Sequence, residues 1–241
     1  LPLQEALFDL VIIDEASQCD IASALPLLQR AKRAVIVGDP KQLRHVSFLS
    51  RSRQAVLADQ FKLPHKFRKD IKGTLSYRDS SLLDLVSTRI QHQKHVIMLD
   101  EHFRSLPDLI RFSNQEFYRS QLKIMTANPG SGEERNIYIH RTNGVRHEKG
   151  YNAREIAAIL RRVEEVVQAE AELAIGLCQS IGILSPFRSQ VEQLKKAFKM
   201  AFTAEQMARH RMLIGTAHSF QGEERDIMCI SWVVDPNTPA G

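Results

Sequence analysis

The chain has 241 residues, with 33 lysines and arginines against 28 aspartates and glutamates, a formal net charge of +5 and a pI near 9.2. Its hydrophobic share of 43% and charged share of 25% are ordinary for a globular protein, and no apolar run approaches the ~18 residues of a membrane-spanning helix, which argues against a membrane protein. The basic balance favours a polyanionic partner, although a solvated basic surface produces the same excess.

The first hundred residues predict alternating strands and helices. Continuous apolar runs of strand length are typical of parallel strands that are covered on both faces. These predicted strands span 8–14, 33–39 and 95–100. Helices are predicted over 21–30, 53–61 and 80–90. The last of these helices has a candidate cap at Asp79 or Ser80.

From Phe103 the same pattern restarts. Helices are predicted over 106–118, 152–167 and 187–198, and strands over 136–141, 180–185, 212–219 and 226–234. The helix at 152–167 is the clearest, because Asn152 and Glu155 have the spacing of a capping box and apolar residues recur along one face. This alternation predicts an α/β architecture with mainly parallel sheets.

Polar residues follow several of the predicted strands. VIIDEASQ (11–18) ends a buried strand with two adjacent carboxylates, which repel each other unless a divalent cation compensates; a polar turn is the alternative. Other strands lead to Gly38–Gln42, to Arg104, and to Gly215–Thr216 followed by Gln221–Gly222. Ligands bind at the carboxyl ends of parallel strands. The pattern therefore predicts a phosphate and metal site shared between two sheets.

Five segments resemble, in order, helicase motifs of superfamily 1. They are VIIDEASQ (11–18), VIVGDPKQL (35–43), LDEHFRSLPDLIRFSNQEFY (99–118), IGILSPFRSQ (181–190) and IGTAHSFQGEERDIMCIS (214–231). DEASQ resembles the Walker B motif, GDPKQL the third motif, HFRS the arginine-bearing fourth motif and TAHSFQGEERD the fifth. The subgroup they resemble most is that of the nonsense-mediated-decay RNA helicase and the related DNA helicase-nucleases.

The resemblance implies two RecA-like parallel-sheet domains, the first present only as its rear half. Residues 1–102 would be the C-terminal half of the first domain and 103–241 the second domain, with a hinge near His102 and Phe103. The chain contains no GxxxxGK[ST], the phosphate-binding Walker A motif, and it ends before the family's sixth motif. We therefore expect a piece of a longer chain that lacks its flanking domains and is inactive alone.

The resemblance also implies roles at a nucleotide site. Asp14 would hold Mg²⁺ and Glu15 would be the general base. Gln42 would sense the γ-phosphate, and Arg104 would act as an arginine finger. A polar turn and a surface ion pair, respectively, are the alternative interpretations of Gln42 and Arg104. Further nucleotide-binding residues are expected at Gln18, Asp39, Gly222 and Glu224.

A nucleic-acid channel is expected at the ends of the later strands, because contacts with a phosphate backbone need hydroxyl and basic groups. Its candidate residues are Ser185, Arg188, Thr216 and His218. His218 could equally be a structural histidine.

The resemblance implies an ATP-dependent helicase or translocase that uses ATP and Mg²⁺ and acts on single-stranded DNA or RNA. Two other classes stay open. One is a degenerate RecA-like module that binds nucleic acid or protein without hydrolysing ATP, and the other is a nucleotide-driven assembly switch. The three cysteines are scattered without CxxC spacing, which predicts a reducing compartment such as the cytoplasm, nucleoid or nucleus.

Overall fold

The computed structural model describes residues 5–62, 76–90, 95–126, 136–235 and 238. The chain forms two compact units, Leu1–Ile137 and Tyr138–Gly241. Both contain helices and parallel strands, which confirms the predicted α/β class. The first unit extends beyond His102, and the domain division expected there stays a prediction. Among the described residues, none of the helices combines the length and the apolar character needed to cross a membrane.

The first unit begins with a β-α-β arrangement. Strand β1 (Val11–Ile13) pairs in parallel with β2 (Ala34–Ile36). Helix α1 (Ile21–Gln29) connects them and starts at Asp20, whose side chain accepts a hydrogen bond from the backbone nitrogen of Ser23. This cap satisfies one of the amide groups that the first turn of a helix leaves unpaired. The two strand ends therefore lie at one edge of the sheet.

Three more helices and a short parallel pair of strands complete the described part of this unit. They are α2 (Arg51–Gln60), α3 (Leu82–Arg89), β3 (Glu101–His102), α4 (Pro107–Tyr118) and β4 (Lys123–Ile124). Helix α3 begins after Ser81, which forms a capping box with Asp84. The cap predicted at Asp79 or Ser80 is wrong, because the capping residue is Ser81.

The strand predicted over 95–100 is wrong in the structure, where only Glu101–His102 forms a strand. The preceding apolar side chains are open to solvent, with Ile97 81% exposed and Leu99 78% exposed. An apolar run favours a strand, but a strand forms only where a second strand accepts its backbone hydrogen bonds. Among the described residues no strand pairs with 95–99, and the pairing with β4 begins where the Asp100 carbonyl accepts from the Lys123 nitrogen at 2.6 Å.

The second unit contains a three-stranded parallel sheet with helices packed against it. Its strands β5 (Ile181–Leu184), β6 (Leu213–Gly215) and β7 (Ile227–Ile230) have the order β6-β5-β7, so β5 is central. Its helices are α5 (Ala153–Ala169), α6 (Arg188–Ala201) and α7 (Ala204–Arg209), with 3₁₀ turns at Ile175–Leu177 and Ala217–Phe220. The core of this unit is formed mainly by Val163, Ile181, Ile183, Leu194 and Phe198, which are essentially fully buried.

The strand predicted over 136–141 is not formed, and Tyr138 and Ile139 are exposed. The helix predicted over 152–167 is confirmed and is longer than expected. Only half of its capping box forms: the Asn152 side chain accepts from the Glu155 nitrogen at 3.2 Å, but the Asn152 nitrogen donates to Gln190 Oε1 at 2.8 Å. The Glu155 carboxylate instead accepts from the Ser231 hydroxyl beyond β7.

Candidate functional site

The two adjacent carboxylates of DEASQ lie in a tight turn directly after β1. Asp14 is exposed, and its Oδ1 accepts a hydrogen bond from the Glu15 nitrogen at 2.7 Å. Glu15 has a left-handed backbone with φ of 51°. That conformation is costly for a residue with a β-carbon, and such strain concentrates at functional sites. The buried residues Ala16 and Ser17 follow and anchor the turn in the first unit.

Gln18 holds the Glu15 carboxylate. Its side-chain nitrogen donates to Glu15 Oε2 at 3.1 Å, and its backbone nitrogen donates to the Glu15 carbonyl at 2.8 Å. A hydrogen bond to an ionised carboxylate is stronger than one between neutral groups. The structure thus brings Asp14, Glu15 and Gln18 together in one short turn.

The second strand end forms a turn of its own, Gly38–Gln42. Asp39 Oδ1 accepts from the Lys41 nitrogen at 2.8 Å, and the Asp39 carbonyl accepts from the Gln42 nitrogen at 3.2 Å. Asp39 Oδ2 accepts from the Tyr118 hydroxyl at 2.6 Å. Gln42 is exposed at the end of this turn. Asp39 is therefore engaged inside the protein on both carboxylate oxygens.

Gly38 allows the two turns to approach each other. A β-carbon at this position would lie 3.1 Å from the Ala16 nitrogen and 3.2 Å from the Ser17 nitrogen. The Ala16 nitrogen also donates to the Val37 carbonyl at 2.9 Å, so hydrogen bonding continues past the last paired residues of β1 and β2. The Asp14–Gln18 turn and the Gly38–Gln42 turn therefore lie side by side.

Arg104 lies two residues beyond β3, in a turn that precedes α4, and it is exposed. The turn is fixed by two hydrogen bonds of Ser105. Its nitrogen donates to His102 Nε2 at 2.8 Å, and its carbonyl accepts from the Thr126 hydroxyl at 2.7 Å. The strand expected at 95–100 is replaced by the two-residue β3, so Arg104 follows a different strand from the predicted one. The role of Arg104 toward a nucleotide stays a prediction.

In the second unit, the candidate nucleic-acid residues follow adjacent parallel strands. Ser185 comes after β5 and its nitrogen donates to the Gly215 carbonyl at 3.1 Å, next to Thr216 at the end of β6. Arg188 is exposed as the first residue of α6, and His218 is exposed in the 3₁₀ turn. Three of the four candidates are therefore open, at least in part, at this edge of the sheet.

Ser185 differs from the other three candidates because it is fully buried. Its hydroxyl accepts a hydrogen bond from the Phe187 nitrogen at 3.3 Å. The side chain thus supports the turn that leads into α6. Its contact with nucleic acid stays a prediction.

The QGEERD segment combines an open turn with a structural carboxylate. Gly222 has φ of 76°, which glycine adopts without strain, and Glu224 is exposed. Sequence reasoning missed Asp226, whose Oδ2 accepts from the Ser180 nitrogen at 2.7 Å and from the Ser180 hydroxyl at 2.6 Å. These bonds, assisted by Arg211, hold the pKa of the Asp226 carboxyl below its usual range. The sequence signal for this contact is that Ser180 and Asp226 each directly precede an apolar run that forms a strand, β5 and β7 respectively.

The second unit also contains a cluster of three potential metal ligands, Glu170, Cys178 and His210, whose donor atoms lie within 4.8 Å of one another. Nε of Arg209 donates to Cys178 Sγ at 3.2 Å, and Glu170 Oε2 accepts from the Gln179 nitrogen at 2.8 Å. The guanidinium already supplies positive charge beside the sulfur. All three side chains of the cluster thus form hydrogen bonds within the protein, including that of His210 Nδ1 with the Gln179 carbonyl at 3.1 Å.

Known proteins match almost the whole chain. Two family models described as AAA domains match residues 2–48 and 78–239. The helicase sen1 of Schizosaccharomyces pombe is 27% identical over 94% of this chain and 13% of its own length. The helicase SEN1 of Saccharomyces cerevisiae is 27% identical over 94% of this chain and 10% of its own length.

A bacterial relative matches the same region. The uncharacterized ATP-dependent helicase MG140 of Mycoplasma genitalium is 26% identical over 95% of this chain and 20% of its own length. The chain thus spans a fifth or less of these curated relatives. One AAA-domain model covers more than half of the chain, and the three relatives carry the name helicase. The chain belongs to the AAA-domain, P-loop NTPase family of superfamily 1 helicases.

Proposed function

We propose that the complete protein is a motor that hydrolyses ATP and uses the energy to move along nucleic acid. The observation that carries this proposal is the adjacency of the Asp14–Gln18 turn and the Gly38–Gln42 turn across Gly38. This arrangement puts acidic groups and an exposed amide at the carboxyl edge of β1 and β2, where parallel sheets bind ligands. The helicase names of the relatives support the same conclusion.

Mg²⁺ fits the chemistry of the first turn. Asp14 is exposed, so its carboxylate can reach a hydrated ion, and carboxylate oxygens are the ligands that Mg²⁺ prefers. An ion held by Asp14 would supply positive charge that neutralises the phosphates of ATP. In this proposal, Asp14 holds the ion directly or through one of its water molecules.

Glu15 is proposed as the general base. Its carboxylate is held by Gln18 and can accept a proton from the attacking water. Gln42 would contact the γ-phosphate from the neighbouring turn. Arg104 would approach the same phosphate and stabilise the charge that develops in the transition state.

Nucleic acid is proposed to bind at the carboxyl edge of β5 and β6. Arg188 and His218 are exposed there, and Thr216 is half-buried beside them. Such groups suit contacts with a phosphate backbone, which do not distinguish one base from another. We infer a single strand of DNA or RNA as the substrate.

A degenerate module that binds nucleic acid or protein without hydrolysis is the second candidate. The strained backbone of Glu15 and its hydrogen bond from Gln18 favour the motor. A binding module would not need a carboxylate held in this way.

The deciding experiment replaces Glu15 by Gln in the full-length protein. The amide keeps the size of the side chain but cannot accept a proton. Hydrolysis should fall by roughly 10²–10⁴-fold while ATP binding survives. Near-normal hydrolysis by Glu15→Gln contradicts the assignment, and a wild-type protein that binds ATP without hydrolysing it supports the second candidate. A strand-displacement assay on the wild type separates a motor from an assembly switch.

A further inference from the structure

Tyr118 connects two segments of the first unit that are distant in sequence. It is the last residue of α4, and its hydroxyl donates to Asp39 Oδ2 at 2.6 Å across 79 positions of sequence. Both side chains are half-buried. Burial, reinforced by the bond to Asp39, raises the pKa of Tyr118 to about 12, so the hydroxyl keeps its proton at neutral pH.

The hydrogen bond acts on the turn that carries Gln42. Asp39 Oδ1 is already held by the Lys41 nitrogen at 2.8 Å, and the Gln42 nitrogen donates to the Asp39 carbonyl at 3.2 Å. The bond from Tyr118 fixes the remaining oxygen from outside the turn. Because O–H···O⁻ bonds at this distance are among the stronger hydrogen bonds in proteins, Asp39 and its turn lose freedom to rotate.

The N-terminus of α4 lies just after the turn of Arg104, since Pro107 is the first residue of the helix. A helix of this length is stiff, so a displacement of one end moves the other. Tyr118 therefore joins the turn of Gln42 to the helix that follows Arg104. Gln42 and Arg104 are far apart in the sequence, so only the folded chain connects them.

We propose that Tyr118 is a positioning residue for ATP hydrolysis, which it serves by holding Asp39 and thereby the Gln42 turn in register with the helix after Arg104. This inference rests on the proposed function. Tyr118 contacts no reacting atom in this scheme. Its hydroxyl affects the geometry in which Gln42 and Arg104 meet the γ-phosphate, so its loss should slow the chemical step more than it weakens ATP binding.

The test is Tyr118→Phe in the full-length protein, which removes one oxygen atom and keeps the ring. We expect kcat for ATP hydrolysis to fall by about tenfold, while the KM for ATP and the midpoint of thermal unfolding change little. Tyr138→Phe is the matched control, because the Tyr138 side chain is 80% exposed. It should hydrolyse ATP like the wild type.

A double mutant tests whether the effect passes through Asp39. If it does, Tyr118→Phe should cause little further loss of kcat in an Asp39→Ala background, which has no side-chain acceptor for the Tyr118 hydroxyl. Independent, multiplicative losses from the two changes overturn the proposal, as does a wild-type kcat for Tyr118→Phe. A loss of thermal stability that accounts for the whole loss of activity also overturns it.

Glu15→Gln, measured in parallel, separates this inference from the proposed function. If Glu15→Gln retains hydrolysis, the assignment of the site is wrong, and with it the positioning role that depends on that site. If Glu15→Gln abolishes hydrolysis while Tyr118→Phe hydrolyses normally, the proposed function stands and only the role of Tyr118 is rejected.

Discussion

The side-chain amide of Gln18 donates to the carboxylate of Glu15 at 3.1 Å, within a turn whose backbone is left-handed at Glu15. Two restraints therefore act on the same carboxylate, one through the backbone and one through the side chain. A general base works best when it is held in the orientation that the attacking water requires. If Glu15 is the general base, as proposed, this pair is the part of the first turn most directly involved in hydrolysis.

Removal of the amide should release this carboxylate. We expect Gln18→Ala in the full-length protein to lower kcat for ATP hydrolysis by about tenfold, because a loosely held base reaches the productive geometry less often. ATP binding should change much less. Single-turnover hydrolysis and equilibrium ATP binding measure the two effects separately, and an equal loss in both would show that Gln18 serves nucleotide binding instead.

The arginine-finger assignment predicts a larger effect at Arg104. Arg104→Ala should lower kcat by about 10³-fold, the lower end of the range for arginine fingers, with a smaller effect on ATP affinity. Arg104→Lys should rescue poorly, since lysine lacks the planar two-pronged donor geometry of arginine. Arg111→Ala on α4 is the matched control, because Arg111 forms only an exposed ion pair with Asp108 among its described contacts. Normal kcat with weaker nucleic-acid binding would place Arg104 in the binding channel.

The edge of β5 and β6 predicts a salt-dependent effect at Arg188. Arg188→Ala should weaken binding of single-stranded nucleic acid and reduce the salt dependence of the affinity by about one ion, as expected for one lost phosphate contact. Fluorescence anisotropy over a series of salt concentrations measures both quantities. An unchanged salt slope would argue against a phosphate contact at this position.

The Asp226 carboxylate predicts a pH dependence of stability. Its pKa is lowered by the hydrogen bonds from Ser180, so its stabilising contribution is complete above the unfolded-state pKa of about 3.9 and is lost as the pH falls through the lower folded-state value. Asp226→Asn should therefore reduce the free energy of unfolding at pH 7 and have a much smaller effect near pH 2.5. Denaturant unfolding at both pH values tests this. Asp9→Asn is the control, because the Asp9 side chain is 90% exposed and its ion pair with Lys32 lies on the surface, where such pairs contribute little.

Close packing at Gly182 in the central strand β5 predicts a steric effect. A β-carbon there would collide with the Met228 sulfur and would lie 2.8 Å from a ring carbon of Phe220. Gly182→Ala should therefore lower the free energy of unfolding by about 1–3 kcal/mol. Gly176→Ala meets no atom within 4 Å of the added carbon, and it should change stability by about 0.5 kcal/mol or less. Equal stability of the two variants would contradict this view of the core.

Local signals in the sequence predicted local structure well. Helix α5 was predicted because its apolar residues repeat with helical spacing after Asn152, and the structure places the helix at Ala153–Ala169. The strands predicted at 95–100 and 136–141 failed because strand formation depends on a pairing partner elsewhere in the chain. The bond between Tyr118 and Asp39 was equally inaccessible, since no spacing rule connects residues 79 positions apart.

Some features of the candidate site can be predicted from the sequence, and others are visible only in the structure. Two carboxylates after an apolar strand indicate a site at Asp14 and Glu15. The next predicted strand, 33–39, leads in the same way to the segment that begins at Gly38. That Glu15 is left-handed and that Ser185 is fully buried could not be predicted, because both depend on how neighbouring turns pack. Residue type indicated the chemistry, and packing decided which side chains are available for it.

The sheet of β1 and β2 differs from the sheet of β5, β6 and β7 in how many partners its strands have, and this difference has a consequence for local opening. Strand β5 is hydrogen-bonded on both sides, whereas β1 and β2 pair only with each other among the described residues. Amide protons exchange with solvent where hydrogen bonds break transiently, and strands with a single partner break them at lower cost. Deuterium should therefore enter Val11–Ile13 and Ala34–Ile36 long before it enters Ile181–Leu184. The Asp14–Gln18 turn directly follows β1, in the sheet where we expect faster exchange. A ligand bound at this turn should therefore slow exchange in β1 more than in β5.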